Sequence, residues 1–480
     1  MQSVLNLIDG KLVPATEGGT LPFFEPAAGA VLGNAPDSGA ADVANAIEAA
    51  RHAFPFWSAL SAQERGRWLR RLATSISDNL ELMAEAESQN TGKPRSVARS
   101  VDIPRSILNF EFFADVATQF ASESHASGDA IHYTLRKPLG VVGAISPWNL
   151  PLYLFTWKIA PALAAGNCVV AKPSEITPLT AGLLGKLASE MGFPAGVLNI
   201  VHGSGPRVGS PLVTHPDVKA VTFTGSTATG RAISEAVAKD FKKVSLEMGG
   251  KNATIVFADC DFDRTLSECV RAGFSNQGQI CLCGSRILVE RSLFDKFTQG
   301  FVERVQRLRV GDPDDEATDQ GAVVSETHFK KVMGYLEFAR KEGGKILCGG
   351  QRFAARGRCA KGWFIEPTVI TGLKNDCRTN QEEIFGPVVT LVPFDTENEA
   401  LGLANQSVYG LAASVWTADA GRLHRFGQGL EVGMVWGNCW MVRDLRTPFG
   451  GVKQSGLGRE GGFEAMRFFT ESKNVCIQVR

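Results

Sequence analysis

The residue best placed to do chemistry is the cysteine that closes the run Phe274-Ser275-Asn276-Gln277-Gly278-Gln279-Ile280-Cys281. Val270 and Phe274 are apolar at helical spacing, polar and glycine residues end the helix, and the thiol follows, between Gly278 and Gly284. Backbone can bend there and a reactant can reach sulfur. A thiolate is a strong nucleophile that a general base can activate; the plainer alternative is a buried structural cysteine. Two other stretches carry complementary groups. Leu246-Glu247-Met248-Gly249-Gly250-Lys251 sets a carboxylate at a strand end before two glycines, and Pro147-Trp148-Asn149-Leu150-Pro151 holds a side-chain amide between two prolines. A carboxylate raised in pKa by partial burial is a general base, and a fixed amide N–H is a donor for a developing oxyanion. Taken singly, Glu247 reads as a surface carboxylate and Asn149 as a turn residue.

The elements that must position these groups follow from periodicity. Val43, Ile47, Ala50 and Phe54 predict a helix over 42–57, and Leu69, Leu72, Ile76, Leu80 and Met83 one longer helix from about Ala62 that Gly92 and Pro94 end. A third, over 101–116, turns Ile103, Ile107, Phe110 and Phe113 inward and carries Arg105 in its first turns. Residues 121–138 read as an excursion and a strand outside the main alternation. From Leu139 apolar strands at about 139–145, 167–171, 197–201, 219–224 and 243–246 alternate with helices near 155–165, 178–190, 206–213 and 227–239, the pattern of a buried parallel sheet. The pattern restarts with strand 253–257, helix 262–274, strand 286–290 and helix 293–308 and continues to about 435. Two successive α/β blocks predict two domains with a ligand cleft between them. Residues 468–480 read as a strand that pairs with the 121–138 excursion, on a second subunit.

Composition bounds the function. The 480 residues predict two or three domains, and 44% hydrophobic with 21% charged residues is the balance of a soluble globular protein. Lys+Arg and Asp+Glu number 50 each, which argues against nucleic acid or an anionic membrane as partner. Apolar runs are short and broken, so no membrane span is expected. Met1 to Gly10 carries Asp9 and no basic stretch leading into an apolar run, so a cytoplasmic protein without a leader is expected. The 10 cysteines are scattered without a C-x-x-C pair, as expected of reduced thiols. Cys281 and Cys283 form a C-x-C with no further ligands near, so no metal site is expected.

A nucleotide site is suggested in two places. Gly203-Ser204-Gly205-Pro206-Arg207-Val208-Gly209 has G-x-G-x-x-x-G spacing and no acidic residue at the end of the next strand, so it reads equally as a strand-to-helix turn. Phe223-Thr224-Gly225-Ser226 follows a strand and opens a helix, where backbone N–H groups and a hydroxyl suit a pyrophosphate; the alternative is an ordinary serine cap. Lys172-Pro173-Ser174-Glu175 follows strand Cys168–Ala171, and both charged groups can reach ribose hydroxyls, the carboxylate disfavouring a 2′-phosphate.

Cys281, Glu247 and Asn149 with their flanking residues resemble, in order, the signature of the NAD(P)-dependent aldehyde dehydrogenase superfamily. The resemblance runs over nearly the whole chain. It implies an α/β aldehyde dehydrogenase fold with a Rossmann-like NAD-binding domain (1–121 and 139–247), an α/β catalytic domain (248–450) and a small β oligomerisation arm (122–138 and 463–480), in a dimer or tetramer. It implies NAD as cofactor, held by Ser146, Trp148, Lys172, Glu175, Gly225, Ser226, Glu383 and Phe385, the last two in Glu382-Glu383-Ile384-Phe385-Gly386-Pro387. It implies Cys281 as nucleophile, Asn149 and the Cys281 N–H as oxyanion donors, Glu247 as base for the hydrolytic water, and Lys158 and Glu460 as supporting residues. A retained Glu247 points to a free acid as product, not an acyl-CoA.

Within the superfamily, Trp436 to Gly451, Val101 to Ser106 and Ile145 to Leu152 resemble the muconate-semialdehyde dehydrogenases of tryptophan and aromatic-ring degradation, which implies an aldehyde with a carboxylate at its far end. Arg105 lies on an otherwise apolar helix and Arg443 in a loop with Trp and Met; together they could clamp a carboxylate. Arg446 is a weaker third. The alternatives are local ion pairs of Arg443 with Asp444 and Arg105 with Asp102. Other open readings are betaine aldehyde, in an aromatic cage of Trp157, Trp436 and Trp440; retinal or another long apolar aldehyde; and a non-catalytic structural relative.

Overall fold

Two parallel sheets, each flanked by helices, meet where residue 247 ends one and Ala253 begins the other. The structure is a computed structural model and describes residues 2–479. The first sheet has eight strands. Its parallel core runs Lys243–Glu247, Val218–Thr224, Val141–Ile145, Cys168–Lys172, Leu198–Ile200 in spatial order; Gly456–Leu457 adds antiparallel at one edge, the hairpin Asn6–Ile8 and Lys11–Val13 at the other. Val141–Ile145 and Cys168–Lys172 are buried at every position, which is why they read as unbroken apolar runs rather than alternating ones. The chain lays down Val141–Ile145 first, moves outward through 168–172 and 198–200, then crosses back to 218–224. A crevice opens at that reversal, beyond the carboxyl ends of Val141–Ile145 and Val218–Thr224.

The second sheet has seven strands, with the parallel order Thr368–Thr371, Val388–Phe394, Arg286–Glu290, Ala253–Val256, Ala412–Trp416, Met434–Gly437 and Lys345–Cys348 antiparallel at its edge. The helix Phe262–Phe274 delivers the chain to the thiol. It starts on an Asp261 cap and ends on Ser275, after which Asn276, Gln277 and Gly278 take left-handed backbone in succession (φ 51°, 56° and 68°). Gly278 has two reasons to be glycine: its φ, and a Cβ there would collide with the Gly386 carbonyl oxygen.

Several boundaries differ from the sequence pattern. The helix expected from Ala62 through Met83 is two, Ala62–Asp78 and Leu80–Thr91, broken at Asn79, whose side chain bonds back to the Ser75 carbonyl at 2.9 Å. The helix expected near 155–165 begins at Pro151, a proline fitting the first helical turn. A wide π-type turn, Ala98–Asp102, precedes Ile103–Gln119, and another, Gly205–Gly209, precedes Ser210–Thr214.

The C-terminal strand Thr470–Gln478 pairs antiparallel with Ala130–Pro138 of the same chain, not of a second subunit, along nine residues from Thr470↔Pro138 to Gln478↔Ala130; Ser124–Ser127 completes this third sheet. The helix Gly462–Phe468 brings the chain back for a local pairing. Among the described residues no helix is long and apolar enough to cross a membrane.

Gly278→Ala should lower the melting temperature, at a cost of about 1–2 kcal/mol for the left-handed backbone before any clash is counted, and slow thiol labelling of Cys281. Gly402→Ala, inside the helix Glu397–Asn405 with nothing within 4 Å of a new Cβ, should be neutral or raise it. Thermal unfolding of the pair, with labelling rates, checks the contrast; equal shifts would remove the backbone constraint.

Candidate active site

Cys281 sits in a loop whose carbonyls are pinned by side chains. Asn149 Nδ2 and Asn276 Nδ2 donate to the Gln279 carbonyl (2.9 and 3.2 Å), Asn252 Nδ2 to those of Cys281 and Cys283 (2.6 and 3.0 Å), and Trp440 Nε1 to that of Leu282 (2.9 Å). Among the described residues the Cys281 N–H donates to no protein group. The Asn149 amide uses one N–H on Gln279, so its second N–H and the Cys281 N–H are the donors left to meet an oxyanion at the thiol.

Asn149 is buried, and its own carbonyl accepts from Asn276 Nδ2 at 3.0 Å. It lines a cleft of ≈ 240 Å³ together with Trp148, Cys281, His328, Glu383 and Phe385. That cleft shares Pro147, Trp148, Thr224, Gly225 and Ser226 with a larger one of ≈ 650 Å³, which Ser146, Lys172 and Glu175 also line. The eight residues expected to hold a cofactor therefore line one continuous groove, at the reversal point of the first sheet. Gly205 and Gly209 line it too, so the glycine turn that sequence left open belongs to the groove.

Details of the groove suit a dinucleotide. Ser226 caps the helix Thr227–Ala238, accepting from the Thr229 N–H at 3.2 Å, with the free N–H groups of that helix start beside it. The Ser146 hydroxyl is buried without a partner among the described residues. Lys172 Nζ reaches Glu175 Oε2 at 3.0 Å and the Pro173 carbonyl at 3.0 Å. At the thiol end, Glu383 accepts from the Gly250 N–H at 2.9 Å; burial raises its pKa, while that hydrogen bond, Lys331 and Lys251 pull it down. A side chain at Gly249 would overlap the Glu383 carboxylate, so the glycine pair after Glu247 makes room for it. Trp148 packs edge-on against Phe385 (5.2 Å between centroids), and His328 Nε2 lies 2.7 Å from the Phe385 carbonyl, bracing its left-handed backbone (φ 63°).

Glu247 ends strand Lys243–Glu247, is 3% exposed, and among the described residues neither carboxylate oxygen has a hydrogen-bond partner. Burial drives its pKa well above the ordinary carboxylate range and Glu460 adds to the rise, against Lys158, Arg459 and Arg443. Lys158 Nζ bonds Glu460 Oε1 (2.8 Å) and Thr222 Oγ1 (3.1 Å), a buried pair behind the strand. Burial also pushes the Cys281 thiol up, with Glu383, Glu247 and Cys283 adding and Arg443 opposing. The resting nucleophile is a thiol, within electrostatic reach of two carboxylates.

The geometry thus gathers a thiol, two N–H groups free to donate, a buried carboxylate without a partner among the described residues, and a dinucleotide-sized groove. The aldehyde dehydrogenase family matches over residues 13–475. The chain belongs to the aldehyde dehydrogenase family. It is 50% identical over 478 residues to a 2-aminomuconic semialdehyde dehydrogenase of Danio rerio, covering 98% of each chain, and 46% identical over 486 residues to a 2-hydroxymuconic semialdehyde dehydrogenase of Pseudomonas sp. (strain CF600), covering 100% of each. Among solved structures, PnpE from Pseudomonas sp. WBC-3 superposes with a TM-score of 0.97 at 42% identity, covering 100% of this chain and 98% of that one; PnpE has also been solved in complex with nicotinamide adenine dinucleotide. This aldehyde dehydrogenase carries supports that its sequence did not announce: Asn252 and Asn276 under the thiol loop, His328 under Phe385, and Tyr153 beside the arginines described below. Only Asn252, a polar residue opening a fully buried strand, left a signal. Among the described residues no cluster of three or more His, Cys, Asp or Glu side chains is placed to hold a metal ion.

The raised pKa of Glu247 fixes the sign of a pH effect. Protonated it is no base, so steady-state turnover should rise with pH through a limb above the ordinary glutamate value of 4.5, while stability, favoured by a group that binds its proton more tightly folded than unfolded, should be full below 4.5 and fall as pH climbs through the raised value. Glu247→Gln should remove the limb and cut turnover by about 10²–10⁴-fold while sparing the first acylation. Single-turnover and steady-state rates against pH check both; an intact limb in the variant would assign it to another group.

Proposed function

We propose that this enzyme oxidises an aldehyde bearing a carboxylate at its far end, of the 2-aminomuconate or 2-hydroxymuconate semialdehyde type, to the free acid with NAD. The observation that carries this reading is a pair of arginines with no acid. Arg443 Nη1 bonds the Tyr153 hydroxyl at 3.3 Å and its guanidinium lies 3.9 Å from the Phe449 ring centre and 5.4 Å from that of Trp157. Arg105 lies over Tyr153 and Trp157 (5.3 and 5.8 Å), with Nε and Nη2 buried and unpartnered. The local acids are taken: Asp444 pairs with Arg446 (2.6 Å), which is exposed and so spent, and Asp102 pairs with Lys93. Burial lowers the Arg105 pKa, with Tyr153 opposing and Arg443 adding to the drop. Two half-buried like charges oppose folding unless a ligand of opposite charge pays for them, and a carboxylate answers both.

The same pair argues against a cationic aldehyde. Trp157 is already faced by both guanidinium groups, Trp440 is buried with its N–H on Leu282, and the Trp436 N–H is on the Val442 carbonyl (3.0 Å), so the three indoles make no cage. A long apolar aldehyde would leave both charges unmet, and Cys281, Glu247 and Asn149 together speak against a non-catalytic relative.

In the chemistry we propose, the Cys281 thiol gives its proton to solvent water as Sγ attacks the aldehyde carbon, opening the carbonyl π bond to the oxyanion of a thiohemiacetal, and loss of the aldehyde hydrogen with its electron pair then leaves a thioester. Asn149 and the Cys281 N–H hold the oxyanion, and Glu247 then takes the proton of the water that cleaves the thioester. NAD, when bound along Lys172, Glu175, Ser226, Ser146 and Glu383, supplies the two-electron acceptor for the aldehyde hydrogen. Glu175 at the ribose end would repel a 2′-phosphate, favouring NAD over NADP. The three-stranded arm, with Ile131, Leu135 and Ile477 exposed, supports association between copies, and the division into a cofactor domain, a catalytic domain and an arm belongs to the same reading.

NAD reduction tests the substrate: kcat/KM for 2-hydroxymuconate semialdehyde should exceed that for an uncharged aldehyde of similar length. Arg443→Ala and Arg105→Ala should each lower it about ten- to a hundredfold, for the anionic substrate alone. Equal losses on both substrates would make the arginines structural and overturn the assignment.

A further inference from the structure

Beneath Asn149 lies a cluster of charges that the chemistry above does not use. Lys93, Glu87 and Asp102 are 0%, 0% and 1% exposed. Lys93 follows the left-handed Gly92 that ends the helix Leu80–Thr91, and its ammonium pairs with Asp102, lies 3.9 Å from Glu87 Oε1, and donates to the Asn149 main-chain carbonyl at 3.3 Å. Glu87 Oε2 accepts from the Thr180 hydroxyl at 2.8 Å and from the Leu152 N–H at 3.5 Å, three residues beyond Asn149. Asp102 closes the π-type turn Ala98–Asp102, and its carbonyl accepts from Ser106 Oγ at 2.8 Å. Burying one cation with two acids is expensive, and apolar side chains of similar size would cost less. The cluster has one contact with the chemistry, the Asn149 carbonyl.

We propose that Lys93 is a positioning residue for the reaction: oriented by Asp102, its ammonium holds the Asn149 carbonyl, and with it the side-chain amide, where the amide meets the oxyanion. The Asn149 carbonyl has two donors, Lys93 from one side and Asn276 from the thiol loop on the other, and the amide is tied to Gln279. Pro147 and Pro151 limit the loop but cannot fix its roll about its own axis; an ammonium in a buried ion pair can. Lys93 thereby registers the Pro147–Pro151 loop against the thiol loop.

The inference rests on the reading of Asn149 as oxyanion donor, and a double-mutant cycle separates the two. Single-turnover oxidation by the full-length enzyme with NAD is measured for wild type, Asn149→Ala, the charge-balanced Lys93→Met/Asp102→Asn, and the combination. Lys93→Met/Asp102→Asn should slow acylation by about tenfold or more, towards the roughly 10²-fold that a 1 Å misplacement costs, with substrate KM and NAD affinity little changed. In the Asn149→Ala background the same pair should cost nothing further. A loss that multiplies in that background, or no loss in the wild-type one, overturns the positioning role. Asn149→Ala acylating at the wild-type rate would instead remove the oxyanion reading. Should Lys93→Met/Asp102→Asn fail to fold, Asp102→Asn alone, which frees Lys93 to turn towards Glu87, carries the same cycle and the same expectations.

Discussion

The pinned loop around Cys281 is the constraint on which the rest of the site depends. A nucleophile on a flexible turn would sample many positions, and about 1 Å of error is enough to cost two orders of magnitude in rate. Here the carbonyls of Gln279, Cys281, Leu282 and Cys283 are each taken by a side-chain donor from elsewhere in the chain, namely Asn149, Asn252 and Trp440, with Asn276 of the loop itself adding a second bond to Gln279. Taking the carbonyls leaves the Cys281 N–H aimed at no acceptor, the state an oxyanion donor needs before reaction. The left-handed run Asn276–Gly278 is the local strain that this network overcomes. The two sheets matter to function chiefly because their junction brings those donors to one place.

Much of this was legible in the sequence, for a physical reason. Strands buried on both faces must be apolar throughout, so Val141–Ile145 and Cys168–Lys172 could be found without a fold, and the glycines at 249, 250 and 278 mark close approaches that any side chain would block. What could not be read is pairing. Asp444 and Asp102 stand beside Arg443 and Arg105 in the chain, and a local reading would join them. The structure gives Asp444 to Arg446 and Asp102 to Lys93. The π-type turn Ala98–Asp102 contributes to that outcome: it inserts an extra residue into the helical rhythm, which periodicity cannot register, and delivers Asp102 to the buried cluster while Arg105, three residues on, faces Tyr153 and Trp157. The same limit hid the break at Asn79, where a side chain competes with the helix's own hydrogen bonds.

The site accumulates features that a fold selected for stability alone would discard. Glu247 is buried with neither oxygen satisfied, Ser146 Oγ has no partner, and Arg105 leaves two nitrogens unmet. An unsatisfied buried polar group costs about 1–3 kcal/mol, more when charged, and these groups lie along the path from groove to thiol to arginine pair. Other buried titratable groups vary: Arg286 donates to the carbonyls of Lys251, Leu403 and Ala404 and to Asn375 Oδ1, whereas Lys251 Nζ and both ring nitrogens of His202 are buried without a partner among the described residues.

Charge also decides between substrates on grounds independent of likeness to relatives. Burial holds both the Cys281 thiol and the Glu247 carboxyl towards their neutral forms, while Arg443 acts on both and Arg105 lies with it over Trp157. Arg443 acts on both reacting groups, favouring the thiolate and the carboxylate. A neutral substrate would leave that field uncompensated, and a cationic one would add to it. A substrate carboxylate neutralises the arginines and so weakens the pull of Arg443 on Cys281 and Glu247, yet it brings the aldehyde to the thiol in a fixed register. The gain is in orientation, which raises kcat as well as affinity. An anionic far end is therefore the substrate feature that answers the charge of the arginine pair.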